Sequence, residues 1–310
     1  MFGRKNWSPS GKHVYVTGGS QGLGLAVAIL LVQQGAHVSI VARNVEKLEK
    51  ALETLEEHRQ APDQNLFTYS FSLGTSKDAT EALEAVCAPY GGRAPDAVLA
   101  CAGTAKPGFL LELTDEDMES GMVQGYWVQA WTARAAAKKM VRDGVKGKIL
   151  FVSSILGYMS FLGYASYTPP KHALRGLADT LASELALYDI DVHIFFPTTM
   201  YTPGYDEENK TKPKVVRDIE GDEGVTAEVA AAAMLQGVQK GEAHITCDFA
   251  TSLFRASTRG ATSGNNFILD RLLDVIAWIV IPVWRASVSK RVRSHQAEHR
   301  KYLHERGFFS

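Results

Sequence analysis

The sequence predicts an α/β fold, a parallel sheet covered by helices on both faces. Three observations lead there. Short apolar runs alternate with helical patterns along most of the 310 residues. Runs such as Ile149-Leu150-Phe151-Val152 and Val192-His193-Ile194-Phe195-Phe196 are almost continuously apolar, as strands buried on both faces must be. The first run, His13 to Thr17, passes through a glycine-rich turn straight into a helical pattern, and a second β run follows.

Taken in order, His13–Thr17 is the first strand and Leu23 to Gln34 the first helix. Gly35 ends that helix and His37–Val41 is the second strand. Val45 to Arg59 is a charged amphipathic helix that stops before Ala61-Pro62. Leu66–Phe71 is the third strand, and the helix from Ser76 to Tyr90 ends at Gly91-Gly92. Asp96–Ala100 is a short strand. Thr114-Asp115-Glu116-Asp117 caps a long helical stretch running to Arg142. Lys148–Ser153 is a strand. The helix from Ser166 to Tyr188 can hold Pro169-Pro170 in its first turn. Asp191–Phe196 is a strand ending at Pro197. Thr202 to Gly224 is long, polar and irregular. Thr226–Lys240 is helical and Ala243–Cys247 strand-like. The pattern is that of a Rossmann-like, doubly wound parallel sheet. We expect a tail over 1–10, one domain over 11–265 and an extension over 266–310.

Composition narrows the class without naming a function. The chain is 45% hydrophobic and 22% charged, with a net charge of −1, so no global charge points to nucleic acid. Cys87, Cys101 and Cys247 are too few and too scattered for a disulfide framework or a zinc site. No metal is expected. No apolar run precedes Lys12, so neither a signal peptide nor an N-terminal anchor is expected.

The glycine turn reads T-G-x-x-x-G-x-G, with Thr17, Gly18, Gly22 and Gly24. Gly18 lets the chain leave the strand sharply, Gly22 clears space for a pyrophosphate, and Gly24 lets the helix pack closely. Ser20 and Leu23 lie in the same turn. The helix N-terminus beyond offers free N–H groups and a positive dipole end. At the end of the second strand an acidic residue would hold a ribose hydroxyl. Here Arg43 stands there, with Asn44 beside it and Lys47 one turn on, which favours the 2′-phosphate of NADPH.

Tyr167 and Lys171 are four residues apart, on one face of a helix. The ammonium is expected to lower the tyrosine pKa so that the phenol exchanges protons near neutral pH. Ser154 at the preceding strand end can bond a carbonyl oxygen. Tyr158 and Tyr164 lack a lysine four residues on.

Together these motifs resemble the short-chain dehydrogenase/reductase family over about residues 10 to 250. The resemblance implies a Rossmann-like fold and catalytic Ser154, Tyr167 and Lys171. It selects Ser154 over Ser153, because the serine stands thirteen residues before the tyrosine. It implies that Ala102-Gly103 borders the cofactor and that Lys171 bonds the nicotinamide ribose. It also implies that Pro197, Thr199 and Thr202 meet the nicotinamide amide, with Thr198 in place of a glycine. The family's asparagine in the long helix has no counterpart here; Gly125 stands near its place, with Gln124 and Gln129 close by. The usual acidic residue after the third strand is replaced by Ser72-Leu73.

Tyr201 to Pro213 is similar to the T-P-G-x-x-x-E-N-x-T-K-P segment of 3-ketodihydrosphingosine reductases. That implies NADPH-dependent reduction of a long-chain keto-base at the cytosolic face of the endoplasmic reticulum membrane, by a homo-oligomer. A reductase of another lipid ketone, or a non-catalytic NADPH-binding protein, remains an alternative.

In the extension, Val275 to Trp284 is too short for the roughly 20 residues of a spanning helix. Trp278 and Trp284 suit a membrane interface. Arg285 to Arg306 holds seven Lys/Arg against two Glu, which suits anionic headgroups. The expectation is a membrane-associating segment near one mouth of the site, with the polar stretch from Tyr205 to Lys214 beside it; a helix packed on the core or on a partner subunit is the alternative.

Overall fold

The structure is a computed structural model that describes residues 6–306 apart from 222, 259 and 263. The first five residues of the expected tail and the last four of the extension lie outside the described residues. The strands are β1 (His13–Thr17), β2 (His37–Ala42), β3 (Leu66–Ser70), β4 (Ala97–Ala100), β5 (Lys148–Val152), β6 (Asp191–Phe196), β7 (Met200–Tyr201), β8 (Val225–Thr226) and β9 (His244–Thr246). The helices are α1 (Gly22–Gln33), α2 (Val45–Glu57), α3 (Ser76–Cys87), α4 (Asp115–Met122), α5 (Val128–Arg142), α6 (Thr168–Glu184), α7 (Pro203–Thr211), α8 (Lys214–Glu220), α9 (Ala227–Lys240), α10 (Phe249–Thr258), α11 (Phe267–Ser294) and α12 (Gln296–Glu305).

Seven parallel strands form one sheet in the order β3-β2-β1-β4-β5-β6-β9. The order reverses between β1 and β4, where Thr17 lies beside both Val41 and Ala100. Crevices at the carboxyl ends of strands, at such a reversal, are where doubly wound sheets bind ligands. α1, α2 and α9 cover one face around Val27, Leu31 and Met234. α3, α5 and α6 cover the other around Met140, Phe151 and Leu174. Each of these large side chains, fully buried, is worth roughly 1.5–3 kcal/mol of transfer from water.

Several boundaries follow from local capping. The Thr114 hydroxyl accepts from Asp117 N–H while the Asp117 carboxylate accepts from Thr114 N–H, closing the expected capping box. The Thr202 hydroxyl caps α7 by accepting from Tyr205 N–H, and the Thr226 hydroxyl caps α9 by accepting from Val229 N–H.

Three stretches differ from expectation. The long helix is not continuous: a π-helical turn over Val123–Trp127 separates α4 from α5. The polar segment after Thr202 is helical rather than irregular. Pro203 opens α7 after the Thr202 cap, and the buried Lys212 ties α7 to α8. α10, a helix the sequence does not announce, packs beneath the extension.

The extension forms α11 and α12. α11 runs 28 residues with Pro282 inside it. One face, with Leu273 and Ala277, packs on Leu253 and Ala256 of α10. The carboxylate of Asp270, 1% exposed, accepts from Arg255 at 2.6 Å and locks the two helices. The opposite face exposes Phe267, Ile268, Val275, Trp278 and Val283, with Trp278 80% exposed. α12 turns back so that His299 lies 4.0 Å from the Phe109 ring. Among the described residues no helix is long and apolar enough to cross a membrane.

Candidate active site

One cavity of about 760 Å³ runs from the glycine turn, past the ends of β4 and β5, to the wall made by α7, α8, α10 and α11. Its floor follows from three glycines. Gly18 has φ +67°, and a β-carbon there would stand 2.9 Å from the Ala102 backbone. A β-carbon on Gly24 would stand 2.3 Å from the Gly18 carbonyl oxygen, so α1 lies as close to the strand as backbone allows. Gly22, φ +55°, differs: a side chain there would meet only Thr202, at 3.4 Å. Its open space faces the cavity at the start of α1, whose first turn carries no acidic residue. That is a cradle for an anionic ligand such as a pyrophosphate. Ser20 and Leu23 line it too.

The end of β2 is cationic. Arg43 is exposed, lines the cavity, and its guanidinium meets no hydrogen-bond or ion-pair partner among the described residues. Asn44 has a structural duty as well: its Oδ1 accepts from Lys47 N–H and caps α2. Lys47 Nζ donates to Gln21 Oε1 at 2.7 Å, drawing the lysine over the glycine turn. Ser72 and Leu73 border the same end of the cavity.

Ala102 and Gly103 follow β4, anchored by Ala102 N–H donating to the Thr17 hydroxyl at 3.1 Å. Pro197, Thr198, Thr199 and Thr202 line the cavity beyond β6. Ile155 N–H donates to the Pro197 carbonyl, joining this stretch to the Ser154 turn.

Ser154, Tyr167 and Lys171 meet on one wall. Ser154 caps a short 3-10 turn, and its Oγ accepts from Leu156 N–H at 3.2 Å, leaving the hydroxyl proton free to donate. Ser153 is 2% exposed and its hydroxyl donates to the Lys171 carbonyl, so that group is committed to the fold. Lys171 is 4% exposed. Its Nζ donates to the Val152 carbonyl at 3.0 Å and stands 5.2 Å from the centre of the Tyr167 ring. Gln129 brackets the same residue, donating to Val152 C=O and accepting from Val152 N–H, each at 2.9 Å.

The titration of this pair corrects one expectation. Burial pushes the Tyr167 phenol up, the Glu208 carboxylate adds to it, and a hydrogen bond from Ser154 only partly offsets them. Burial pulls Lys171 down to about 8. Desolvation outweighs the pull of a nearby ammonium, so Tyr167 stays protonated across the neutral range. That is the form a proton donor needs.

The missing asparagine also has a physical account. A β-carbon on Gly125 would stand 2.7 Å from the Pro170 ring of α6, so no side chain fits there. The π-helical turn at this point brings the Gln124 backbone to the cavity beside Gly103.

Sequence reasoning missed part of the wall. Tyr164 lines the cavity, and its hydroxyl donates to Glu208 at 2.7 Å. Trp284, Val288 and Arg291 of α11 line it as well. An aromatic exposed on a helix reads as an interface residue; only the α10–α11 packing, with Phe254 and Trp284 edge to face at 5.5 Å, turns it inward. Tyr158 is buried and bonds His244, away from this chemistry.

Comparison with known proteins agrees with this geometry. The chain is 43% identical to a 3-ketodihydrosphingosine reductase of Cryptococcus neoformans, over 99% of this chain and 92% of that one. It is 34% identical to one of Aspergillus fumigatus, over 90% and 84% of the two chains, and 36% identical to one of mouse, over 67% and 62%. Among solved structures, levodione reductase superposes with a TM-score of 0.69 at 22% identity, over 77% of this chain and 96% of that one. A short-chain dehydrogenase/reductase from Mycobacterium ulcerans gives 0.67 at 23%, over 83% and 100%; at these identities the likeness is one of fold. Residues 12–213 match the family described as short chain dehydrogenase. The chain belongs to that family.

Proposed function

We propose that this protein reduces 3-ketodihydrosphingosine to dihydrosphingosine with NADPH. The observation that carries the chemistry is the meeting of Ser154, Tyr167 and Lys171 on one wall of a cavity that begins at an anion-accepting glycine turn. The substrate assignment rests on relatives named for that reaction in fungi, Dictyostelium and mouse.

The nicotinamide cofactor supplies the hydride when bound. The glycine turn and the N-terminus of α1 receive its pyrophosphate. The Arg43 guanidinium, with Lys47 one turn on, would hold the 2′-phosphate by charge-assisted hydrogen bonds. Ser154 donates a hydrogen bond to the ketone oxygen and Tyr167 delivers its phenolic proton to that same oxygen. Lys171 positions the ribose and borders the tyrosine. Removing charge at the end of β2 tests the cofactor reading. Arg43→Asp should lower kcat/KM with NADPH about 100-fold and leave NADH nearly unaffected, measured on 3-ketodihydrosphingosine within a panel of steroid, retinoid and acyl ketones. An unchanged NADPH/NADH ratio would reject the 2′-phosphate assignment. A better substrate elsewhere in the panel would reject the keto-base.

We further place the protein on the cytosolic face of the endoplasmic reticulum membrane, working as a homo-oligomer. The exposed apolar face of α11 and the basic residues after Arg285 support contact with a bilayer surface. Trp127 of the π-helical turn and Trp131 of α5, stacked with ring centres 4.7 Å apart, offer a surface for self-association. The extension also forms a wall of the cavity, so truncating it would strip the site along with the membrane contact. Point changes are the sharper test. Ile268 and Trp278 are 79% and 80% exposed. Ile268→Glu with Trp278→Glu should abolish co-flotation with anionic vesicles while turnover of a short soluble ketone survives. Undiminished flotation would show that this face meets something other than lipid.

A further inference from the structure

The cavity carries a charge arrangement that the reduction itself does not use. Glu208 of α7 and Glu220 at the end of α8 both line it. Between them lies Lys212, its side chain fully enclosed. Lys212 Nζ stands 3.0 Å from Glu208 Oε1 and 2.7 Å from Glu220 Oε2. The Tyr164 hydroxyl meets the same two carboxylates, at 2.7 Å and 3.1 Å. Two carboxylates against one ammonium leave one net negative charge. Glu207 of α7 also borders the cavity, but it is exposed and paired with Lys210.

The cluster is asymmetric. Tyr164 and Lys212 both engage Oε1 of Glu208. Its second oxygen accepts no hydrogen bond from a described residue, although the side chain is only 18% exposed. The Tyr164 and Tyr167 rings lie 5.9 Å apart, so this carboxylate is a neighbour of the proton donor. The charge of Glu208 is felt at the Tyr167 phenol. A carboxylate oxygen open to the cavity beside the place of the reacting carbonyl suits a cationic donor on the substrate, near its ketone.

We propose that Glu208, backed by Glu220, receives the substrate's ammonium and selects ketones that carry an amine on the carbon next to the carbonyl over neutral ketones. This rests on reading the cavity as the reductase site. A keto-base of the kind named for the relatives has that arrangement: its amine is bonded to the carbon adjoining the ketone. With Tyr167 on the oxygen, the ammonium falls within one side-chain length of that wall. Lys212 and Tyr164 hold the carboxylates in place, so the site is built before the substrate arrives. A neutral ketone offers the Glu208 carboxylate no charged donor. Steroid and acyl ketones are rejected on that account rather than by size.

The experiment uses the full chain and two long-chain 3-ketones of equal length, one with the 2-amine and one without. The quantity read is the ratio of their kcat/KM values with NADPH. Glu208→Gln keeps the shape and the Tyr164 bond and removes the charge. It should lower the ratio about 10–100-fold, chiefly through KM of the amino ketone, with NADPH affinity retained. Glu220→Gln, which leaves the Lys212–Glu208 pair intact, should lower it by less. An unchanged ratio in Glu208→Gln, with both ketones slowed alike, shows that Glu208 only holds α7 and overturns the proposal. Should that variant fail to fold, Glu220→Gln decides: an unchanged ratio there overturns it too. Wild-type protein inactive on the amino ketone defeats the reductase reading instead, so the two failures are distinct.

Discussion

Tyr167→Phe should lower turnover by about 10²–10⁴-fold and leave NADPH binding within about twofold. The change removes one oxygen. The ring remains in its place against Tyr164 and below Lys171, so the cavity keeps its shape. What goes is the hydroxyl that borders Lys171 and shares a hydrogen bond with Ser154. Tyr164 cannot take over. Its hydroxyl is already given to Glu208 and Glu220, and those two carboxylates, after burial, hold its proton more tightly still. Ser154 cannot either, since a serine hydroxyl is far too weak an acid. The residual rate then reports what positioning alone contributes. The measurements are single-turnover oxidation of NADPH and a fluorescence titration of cofactor. Turnover within tenfold of wild type sinks the assignment of Tyr167 as the acid. Lost cofactor binding would show that the phenol holds the ribose rather than the proton.

What could be read from the sequence was what local chemistry decides. The first strand, the glycine turn and α1 are set by neighbours in the chain, and they lie where the spacing puts them. Tyr167 and Lys171 are legible because four residues on a helix make one face. The rest was settled by contacts distant in sequence. Lys212 sits in a polar stretch and reads as a surface charge; it is buried because Glu208 and Glu220 converge on it. Tyr164 reads as a bystander because its partners lie 44 and 56 residues away. The π-helical turn at Gly125 has no local sign, since Pro170 on another helix closes that space. α11 reads as an interfacial segment, and half of it lies exposed. Its other half forms cavity wall because Asp270, a charge that argues for exposure, is instead buried against Arg255. Pattern alone cannot tell a solvated charge from one whose partner comes from elsewhere in the fold.

Lys171→Met should abolish most turnover and yet stabilise the cofactor-free protein by about 3 kcal/mol at neutral pH. Lysine ordinarily titrates at 10.5, and burial pulls Lys171 down to about 8. Between those values the unfolded chain binds the proton more readily than the folded one. Stability therefore rises as pH increases from about 8 toward 10.5, and below pH 8 the folded protein carries the full cost of a dehydrated charge. Methionine fills nearly the same volume without that charge. The Val152 carbonyl is not orphaned by the change, because Gln129 still donates to it at 2.9 Å. The check is denaturant unfolding of both proteins across pH 6–11. The advantage of the variant should be largest below about pH 8 and fade as wild-type Lys171 loses its proton. A difference that does not vary with pH means the lysine is not buried as a charge, and a less stable variant means its hydrogen bond outweighs its desolvation. With the expected outcome, the site holds a destabilising charge for which folding offers no use, and the use lies with the phenol it borders in the cavity.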